Sequence, residues 1–332
     1  MMNNDIPHIS LGLPVYNGQN FLEQALLSIL DQTFEDFELI ICDNASTDKT
    51  EVICRKYEAQ DSRIRYYRNE KNLGAAKNYN RVFKLSKGKY FAWVNHDDLY
   101  EKEYFEKCLN ALEQQPSAVL AYSKSCLIDE QSRHIGELFY DLKIDSESPY
   151  KRFKRFHDCF LKPLTVLKAK HYPIKHYPIK VGIWIPVYGL MGREILSKTR
   201  LIGSHISSDT TLLEELAILG KFCLVPMPLF YKRDHSQRSV RLHRSYAKRI
   251  AWFDPETKGK LLFPRWKLLL EQFNVINTYN LKWQERLLCY GEIFRYHRWQ
   301  WKALLLEIWI NLQNILLVGK FADKKNKLPD LW

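Results

Sequence analysis

Four polar residues, Asn95-His96-Asp97-Asp98, follow directly on the apolar run Tyr90–Val94. Two adjacent carboxylates at the end of a buried strand are costly unless a cation or hydrogen-bond donors compensate them. Hard carboxylate oxygens suit Mg²⁺ or Mn²⁺, which keeps part of its water shell and takes the rest from one or two carboxylates and a phosphate-bearing ligand. Asp97 and Asp98 are therefore candidate metal ligands. The competing reading makes one of them the cap of a helix beginning near Glu101, and this pattern alone does not separate the two.

Asp209, in Ser207-Ser-Asp209-Thr, opens a helical pattern. It can serve as a general base for an acceptor hydroxyl or as a plain N-cap, with Glu214 and Glu215 on the same helix as rival bases. His235 ends Tyr231-Lys-Arg-Asp-His and is followed by Arg238, so it sits among Lys232, Arg233 and Arg238, which can close over phosphates; a structural or solvated histidine is the plainer alternative. The chain has no GxGxxG after its first apolar run and no GxxxxGK[ST], GxSxG or HExxH. Metal and basic side chains would have to hold any phosphates.

These residues need a scaffold. Through residue 130 short apolar runs alternate with helical patterns, the order of a parallel sheet with crossover helices. Ile9–Leu13, Glu38–Cys42, Ile64–Tyr67 and Tyr90–Val94 read as strands, and Phe21, Leu22, Ala25, Leu26, Ile29 and Leu30 share a helical face. Pro14-Val-Tyr16-Asn17, Asp43-Asn44 and the cluster at 95–98 all come just after strands, where open α/β sheets bind ligands. Farther on, Gly182–Gly192 reads as a strand, Asp209–Leu219 as a helix, and Phe222–Arg233 as a strand broken by Pro226 and Pro228. The tandem copies His171–Lys175 and His176–Lys180 read as a local duplication in a tolerant loop rather than a metal site.

The 332 residues carry a net charge of +12, distributed unevenly. Residues 1–130 hold 15 Lys+Arg against 20 Asp+Glu, leaving 35 against 18 for the remainder. A basic half of this kind suits an anionic glycan, an anionic membrane surface or nucleic acid. Seven cysteines without a CxxC pair, and an N-terminus without a basic-then-apolar pattern, lead to the expectation of a cytoplasmic chain.

Taken in order, Leu13-Pro14-Val-Tyr16-Asn17-Gly18, Asp43-Asn-Ala-Ser46-Thr-Asp48, Asn72-Leu-Gly74 with Asn78, the 95–98 cluster and Asp209 resemble family 2 glycosyltransferases of the GT-A fold, over about residues 6–240. The resemblance implies an α/β fold with a Rossmann-like mixed, mostly parallel sheet flanked by helices. It implies an inverting enzyme that moves a sugar from a nucleotide diphosphate-sugar to a glycan or lipid-linked acceptor, in cell-surface polysaccharide or glycolipid synthesis. Pro14, Tyr16 and Asp43 would contact base and ribose, with Asn17, Asn44, Asn72, Gly74, Asn78, Asn95, His235 and Arg238 as further donor-site residues. Asp97 would hold the metal as the last aspartate of a DxD signature, and Asp209 would be the base. The first position of that signature is Asn95, which adds no negative charge and points to weaker metal affinity. No Gln-x-x-Arg-Trp signature is present, which points to single-sugar transfer. The rivals are a metal-dependent nucleotidyltransferase and a non-catalytic basic protein for membrane or nucleic acid, of which nucleic acid is disfavoured.

Residues 1–240 are thus expected to form the catalytic domain, with a nucleotide-sugar half (1–130) and an acceptor half (131–240). Residues 241–332 are expected to be a helical, basic and aromatic extension carrying seven of the nine tryptophans. From Trp283 on, Leu287, Tyr290, Phe294, Trp301, Leu305, Ile308, Leu312 and Ile315 track a helical face among Arg286, Arg295, Arg298 and Lys302, which suits a helix lying on an anionic membrane; an ordinary packed helical pair is the alternative.

Overall fold

The computed structural model describes residues 6–138, 142–161, 184–243, 245–257, 260–298 and 300–317. The N-terminal half runs β1 (Ile9–Val15), α1 (Leu22–Leu30), β2 (Phe37–Asp43), α2 (Thr50–Gln60), β3 (Ile64–Arg68), α3 (Ala75–Leu85), β4 (Tyr90–Trp93), β5 (Leu99–Tyr100), α4 (Tyr104–Gln114) and β6 (Ala118–Ile128). Then follow β7 (His134–Leu138), α5 (Pro149–Leu161), a 3₁₀ turn (Ile185–Tyr188), β8 (Leu190–Gly192), α6 (Arg193–Ser197), α7 (Ser208–Leu219) and β9 (Lys221–Arg233). The C-terminal helices are α8 (Ser239–Leu242), α9 (Tyr246–Phe253), α10 (Pro264–Thr278), α11 (Trp283–His297) and α12 (Trp301–Leu317).

Among the described residues the strands form one mixed sheet in the order β3-β2-β1-β4-β8-β6-β9-β5, with β7 paired to β6. The long ladders, β1 with β2 and β6 with β9, are parallel, while β8 joins the two halves antiparallel to β4 and β6. Every residue of β1 and β2 is buried, as continuous apolar runs demand when helices cover both sheet faces. Strand order reverses across β1, which pairs with β2 on one side and β4 on the other, so the loops after β1 and β4 open on one crevice.

Gly182–Gly192 does not form the single strand expected of it. Its described part turns through 3₁₀ geometry at Ile185–Tyr188, with Pro186 at the start, and only Leu190–Gly192 enters the sheet. Proline lacks the N–H a ladder needs. In β9, by contrast, Pro226 and Pro228 do not end the strand; the ladder with β6 changes register around Lys124, opposite Pro228. The duplicated His-Tyr-Pro-Ile-Lys segments lie outside the described residues.

A second apolar cluster of Phe153, Ile218, Val275, Ile276, Leu281, Cys289 and Ile293 joins α5 and α7 to α10 and α11. The C-terminal helices therefore share a core with the half of the chain that presents Asp209. No described helix is long and apolar enough to cross a membrane.

Candidate active site

The chain leaves β4 at the crevice and places Asn95, Asp97 and Asp98 within reach of the end of β9. Asp98 is fully buried, and its oxygens accept from Lys232 Nζ at 2.7 Å, Arg233 N at 3.0 Å and Asn95 Nδ2 at 2.7 Å. Asn95 in turn accepts from the Tyr79 hydroxyl at 3.0 Å. Burial pushes the Asp98 carboxyl up, opposed by Lys232. Asp97 is different. Burial would raise it too, but the Lys232 charge, the hydrogen bond with His235 and the nearby His96 outweigh burial and hold it well below the usual carboxylate range.

With Asp97 ionised, His235 Nε2 carries the proton and donates to Asp97 Oδ2 at 2.9 Å. The imidazole packs against Phe21 with 4.7 Å between ring centroids, and its Nδ1 is buried with no hydrogen-bond partner among the described residues. Arg233 fixes the frame: its Nε donates to the Asp97 carbonyl at 2.9 Å, while its other nitrogens reach Asp129 O, Ser132 Oγ and Gln24 Oε1.

Tyr188, from the 3₁₀ turn, lies near enough to this cluster and to Asp209 to feel the charges of both. Burial raises its hydroxyl pKa, and the charges of Asp98, Asp209 and Asp97 raise it further, against a hydrogen bond with Asn95. Lys232 Nζ stands 5.2 Å from the Tyr188 ring and 5.6 Å from that of Trp184. Asp209 lies in the first turn of α7, behind Ser207, and accepts from the Thr210 amide at 2.9 Å. Burial pushes it up to about 6, more than the Thr210 amide and its own amide lower it. A carboxyl so placed takes up and gives back a proton near neutral pH.

The loops after β1 and β2 are tied together. Asn17 N donates to Ser46 Oγ and Asn17 Oδ1 accepts from Thr47 N, both at 2.8 Å. Asp43 accepts from Ser46 N, the Tyr66 hydroxyl and Arg68. Asn44 Oδ1 takes bonds from Asn69 and Leu73 N while its amide donates to Asn72; Asn78 accepts from Asn69 and donates to Cys42 O. Asn17, Ala45 and Ser207 all have positive φ, at 53°, 61° and 65°, so backbone strain is stored in three of the loops that border the crevice.

A family model described as glycosyl transferase family 2 matches residues 10–166. Over that segment, just under half of the chain, the sequence is similar to glycosyl transferase family 2. An uncharacterised glycosyltransferase of Rickettsia typhi is 37% identical over 134 residues, 40% of this chain and 41% of that protein. The putative teichuronic acid biosynthesis glycosyltransferase TuaG of Bacillus subtilis is 36% identical over 117 residues, 35% of this chain and 46% of that one. The matched segment thus spans less than half of either relative. In fold, the chain is similar to residues 1–349 of S. aureus TarS solved with UDP-GlcNAc, with a TM-score of 0.58 at 15% identity, covering 87% of this chain and 72% of that one. The mixed sheet with flanking helices is the GT-A arrangement.

Within the family 2 fold the expected residues divide into two groups. Asp97, His235 and Asn95 gather at one point, and Tyr188 stands near enough to them and to Asp209 to feel the charges of these aspartates. Tyr16 is exposed beside Pro14 at the crevice mouth. Asn44, Asn72 and Asn78 bond mainly to one another and to backbone, and Gly74 packs against Phe253 and Pro255, so these four build the crevice wall. Arg238 is held by Asp234 at 3.3 Å. The capping alternatives do not hold: α4 starts at Tyr104 behind Glu103, well past Asp98, and the N-cap of α7 is Ser207 rather than Asp209. Both rival bases are occupied, Glu214 by Gln272 and His157, Glu215 by Arg200.

Lys232, Tyr188 and Tyr79 complete the site. Of these only Lys232 had a sequence signal, its place in the basic run before His235; Tyr79 and Tyr188 read as ordinary helix and strand aromatics.

The donor set suits a divalent ion in one respect. Asp97 Oδ2 and His235 Nε2 are 2.9 Å apart, and two ligands about 2.1 Å from one octahedral ion would stand about 3 Å apart. Asp98 has its oxygens committed to three protein donors, and no group of three or more His, Cys, Asp or Glu side chains gathers into a metal cage among the described residues. Mg²⁺ and Mn²⁺ with a diphosphate need no such cage.

Proposed function

We propose that the chain is an inverting glycosyltransferase that moves one sugar from a nucleotide diphosphate-sugar to an acceptor hydroxyl, in the synthesis of a cell-surface polysaccharide or glycolipid. The observation that carries this is a carboxyl poised near pH 6 at Asp209 together with the low-pKa Asp97, both near enough for their charges to act on the Tyr188 hydroxyl. Asp209 takes the acceptor proton as the acceptor oxygen bonds to the anomeric carbon. The bond from that carbon to the diphosphate breaks on the opposite face, and the nucleoside diphosphate leaves with the electron pair. Asp97, and His235 in the tautomer that carries its proton on the unpartnered Nδ1, would hold Mg²⁺ or Mn²⁺, which when bound neutralises charge growing on the diphosphate.

Pro14, Tyr16 and Asp43 take the base and ribose. Asn17 and Asn44 fix the loops that carry them, and Asn72, Gly74 and Asn78 hold the wall behind. Arg238 and Lys232 contribute positive potential on the phosphate side. The acceptor is a glycan or a lipid-linked hydroxyl. The reading places the protein in the cytoplasm, in peripheral contact with the inner face of the cell membrane; seven free cysteines suit a reducing compartment.

The test is release of nucleoside diphosphate from a panel of UDP-, GDP- and dTDP-sugars with Mn²⁺ or Mg²⁺, UDP-N-acetylglucosamine among the first because TarS was solved with it. Turnover of one donor, lost in Asp97→Ala and Asp209→Ala, supports the reading. Release of pyrophosphate from a nucleoside triphosphate supplied with a sugar 1-phosphate, with no nucleoside diphosphate from any donor sugar, would make the protein a nucleotidyltransferase. Absence of any donor binding would overturn both.

A further inference from the structure

Helix α12 buries two polar residues beside the apolar Leu304 and turns both its tryptophans outward. Its buried face presents Glu307 and Asn311 to the protein: Glu307 accepts from Arg265 N at 3.1 Å and pairs with Arg265 Nη1 at 3.2 Å, while Asn311 bonds both the N–H and the C=O of Leu262. Trp266 Nε1 adds a bond to the Leu304 carbonyl at 3.0 Å. The opposite arrangement, apolar inward and polar outward, is what a helix on a soluble surface normally adopts.

The outward stripe is Trp301, Leu305, Trp309, Leu312 and Ile315, spaced at four, four, three and three residues and each between 47% and 59% exposed. A contiguous apolar strip of this kind marks a surface that something else covers. No acidic side chain lies on it, because Glu307 is the one acidic residue of α12 and is buried. Lys302 is exposed beside it, its ammonium 5.5 Å from the Trp301 ring, and exposed Arg298 precedes it at the end of α11.

We infer that α12 is an in-plane membrane-docking helix that beds its Trp301–Ile315 stripe in an anionic lipid surface while Lys302 and Arg298 meet the headgroups. Two observations favour lipid over a second copy of this chain. The stripe is about 21 Å long and about 10 Å wide, roughly 200 Å², far below the approximately 800 Å² per partner of a stable protein interface. Its composition, tryptophans with flanking cations and no anion, is that of helices lying at the headgroup boundary. Seventeen residues with Glu307 and Asn311 inside are anchored to the protein and do not cross the bilayer. The inference deepens the peripheral contact proposed above but does not depend on sugar transfer.

The experiment is co-sedimentation of the full chain with vesicles of phosphatidylcholine alone and with phosphatidylglycerol added, alongside gel filtration and nucleoside diphosphate release in free solution. Binding is expected to the phosphatidylglycerol vesicles, to weaken with salt, and to drop by about tenfold or more in Leu305→Ser/Trp309→Ser, whose thermal melt and donor turnover stay at wild-type values. A separate Lys302→Glu variant, which leaves the apolar stripe whole, is expected to bind less well and to lose the preference for phosphatidylglycerol. Unchanged vesicle binding in both variants overturns the inference, as does equal binding to both lipid mixtures. So does a wild-type dimer that the serine variant splits with no vesicle binding in either. Donor turnover without vesicle binding would leave the transferase reading standing and remove only this one; the reverse pattern would do the opposite.

Discussion

Asn95 Nδ2 donates to Asp98 Oδ2 across 2.7 Å, at a position where the family signature carries an aspartate. The amide is not a weakened carboxylate here. It satisfies a buried acceptor that a second carboxylate would repel, and its own oxygen accepts from Tyr79. In Asn95→Asp two anions would face each other in a fully buried setting. The expected result is a loss of about 1–3 kcal/mol in folding stability with no gain in metal affinity. Denaturant melts and Mn²⁺ titration of both forms check this; tighter metal binding at unchanged stability would restore the simple view that Asn95 only subtracts charge.

Lys232 neutralises Asp98 from the end of β9, and both side chains are almost wholly withdrawn from water. Removing one partner leaves a buried uncompensated charge, so Lys232→Met is expected to cost about 3–5 kcal/mol. The double variant Lys232→Met/Asp98→Asn should recover much of that loss, because the remaining amide needs no counterion. A thermodynamic cycle over the four forms measures the coupling, and additive losses would mean that the pair contributes little.

Much of this centre was legible because its parts are local. Continuous apolar runs marked β1, β2 and β4, and polar residues just past them marked the crevice. What escaped was partnership across the fold. Asp98 and Lys232 are 134 residues apart and meet because β9 runs beside the loop after β4. Glu214 and Glu215 looked like free helix carboxylates until α10 and the Arg200 loop covered them. Gly182–Gly192 had strand composition, but Pro186 favours a tight turn, and that turn is what brings Tyr188 to the aspartates. The apolar run of α12 was readable, whereas its orientation was not, since only the contacts of Glu307 and Asn311 reveal which face is inside.

Asp209 gives a pH signature. With its carboxyl raised to about 6 by burial, the base is ionised above that value and lost to protonation below it. The kcat/KM profile for transfer should therefore fall on the acid side with an inflection near pH 6. Asp209→Asn is expected to lose about 10²–10⁴ in kcat while donor affinity is retained, since the residue acts on the acceptor. An acid limb near pH 4, or donor binding lost together with turnover, would assign the residue another role.

Gly74 holds φ +85° at the start of α3, where a Cβ would lie 2.5 Å from the Phe253 carbonyl oxygen and 2.6 Å from Pro255. Gly74→Ala thus combines an unfavourable backbone region with a clash against fixed backbone, and should cost more than about 1 kcal/mol. Because the clash is with the segment after α9, limited proteolysis should show cleavage near 253–257 before global unfolding. Loss of stability without that local cleavage would leave only the φ cost.

His205 and His297 are buried neutral rings, each lowered by burial to about 4. His297 Nε2 donates to Gln272 Oε1 at 2.6 Å, and Gln272 in turn donates to Glu214, so charging His297 loads a closed polar network. The unfolded chain titrates these rings near pH 6.5 and so binds protons between pH 6.5 and 4 that the folded chain does not. Stability is complete above pH 6.5 and falls through that window by up to about 3 kcal/mol for each ring. Glu271, lowered to about 2 by Lys267 and other partners that outweigh its burial, loses its own contribution only at lower pH. Thermal melts from pH 8 to 4.5 should therefore be flat down to about 6.5 and then decline, with a shallower decline in His297→Gln, whose amide can still donate to Gln272 but cannot take a proton. Equal slopes in the two proteins would place the acid sensitivity outside this network.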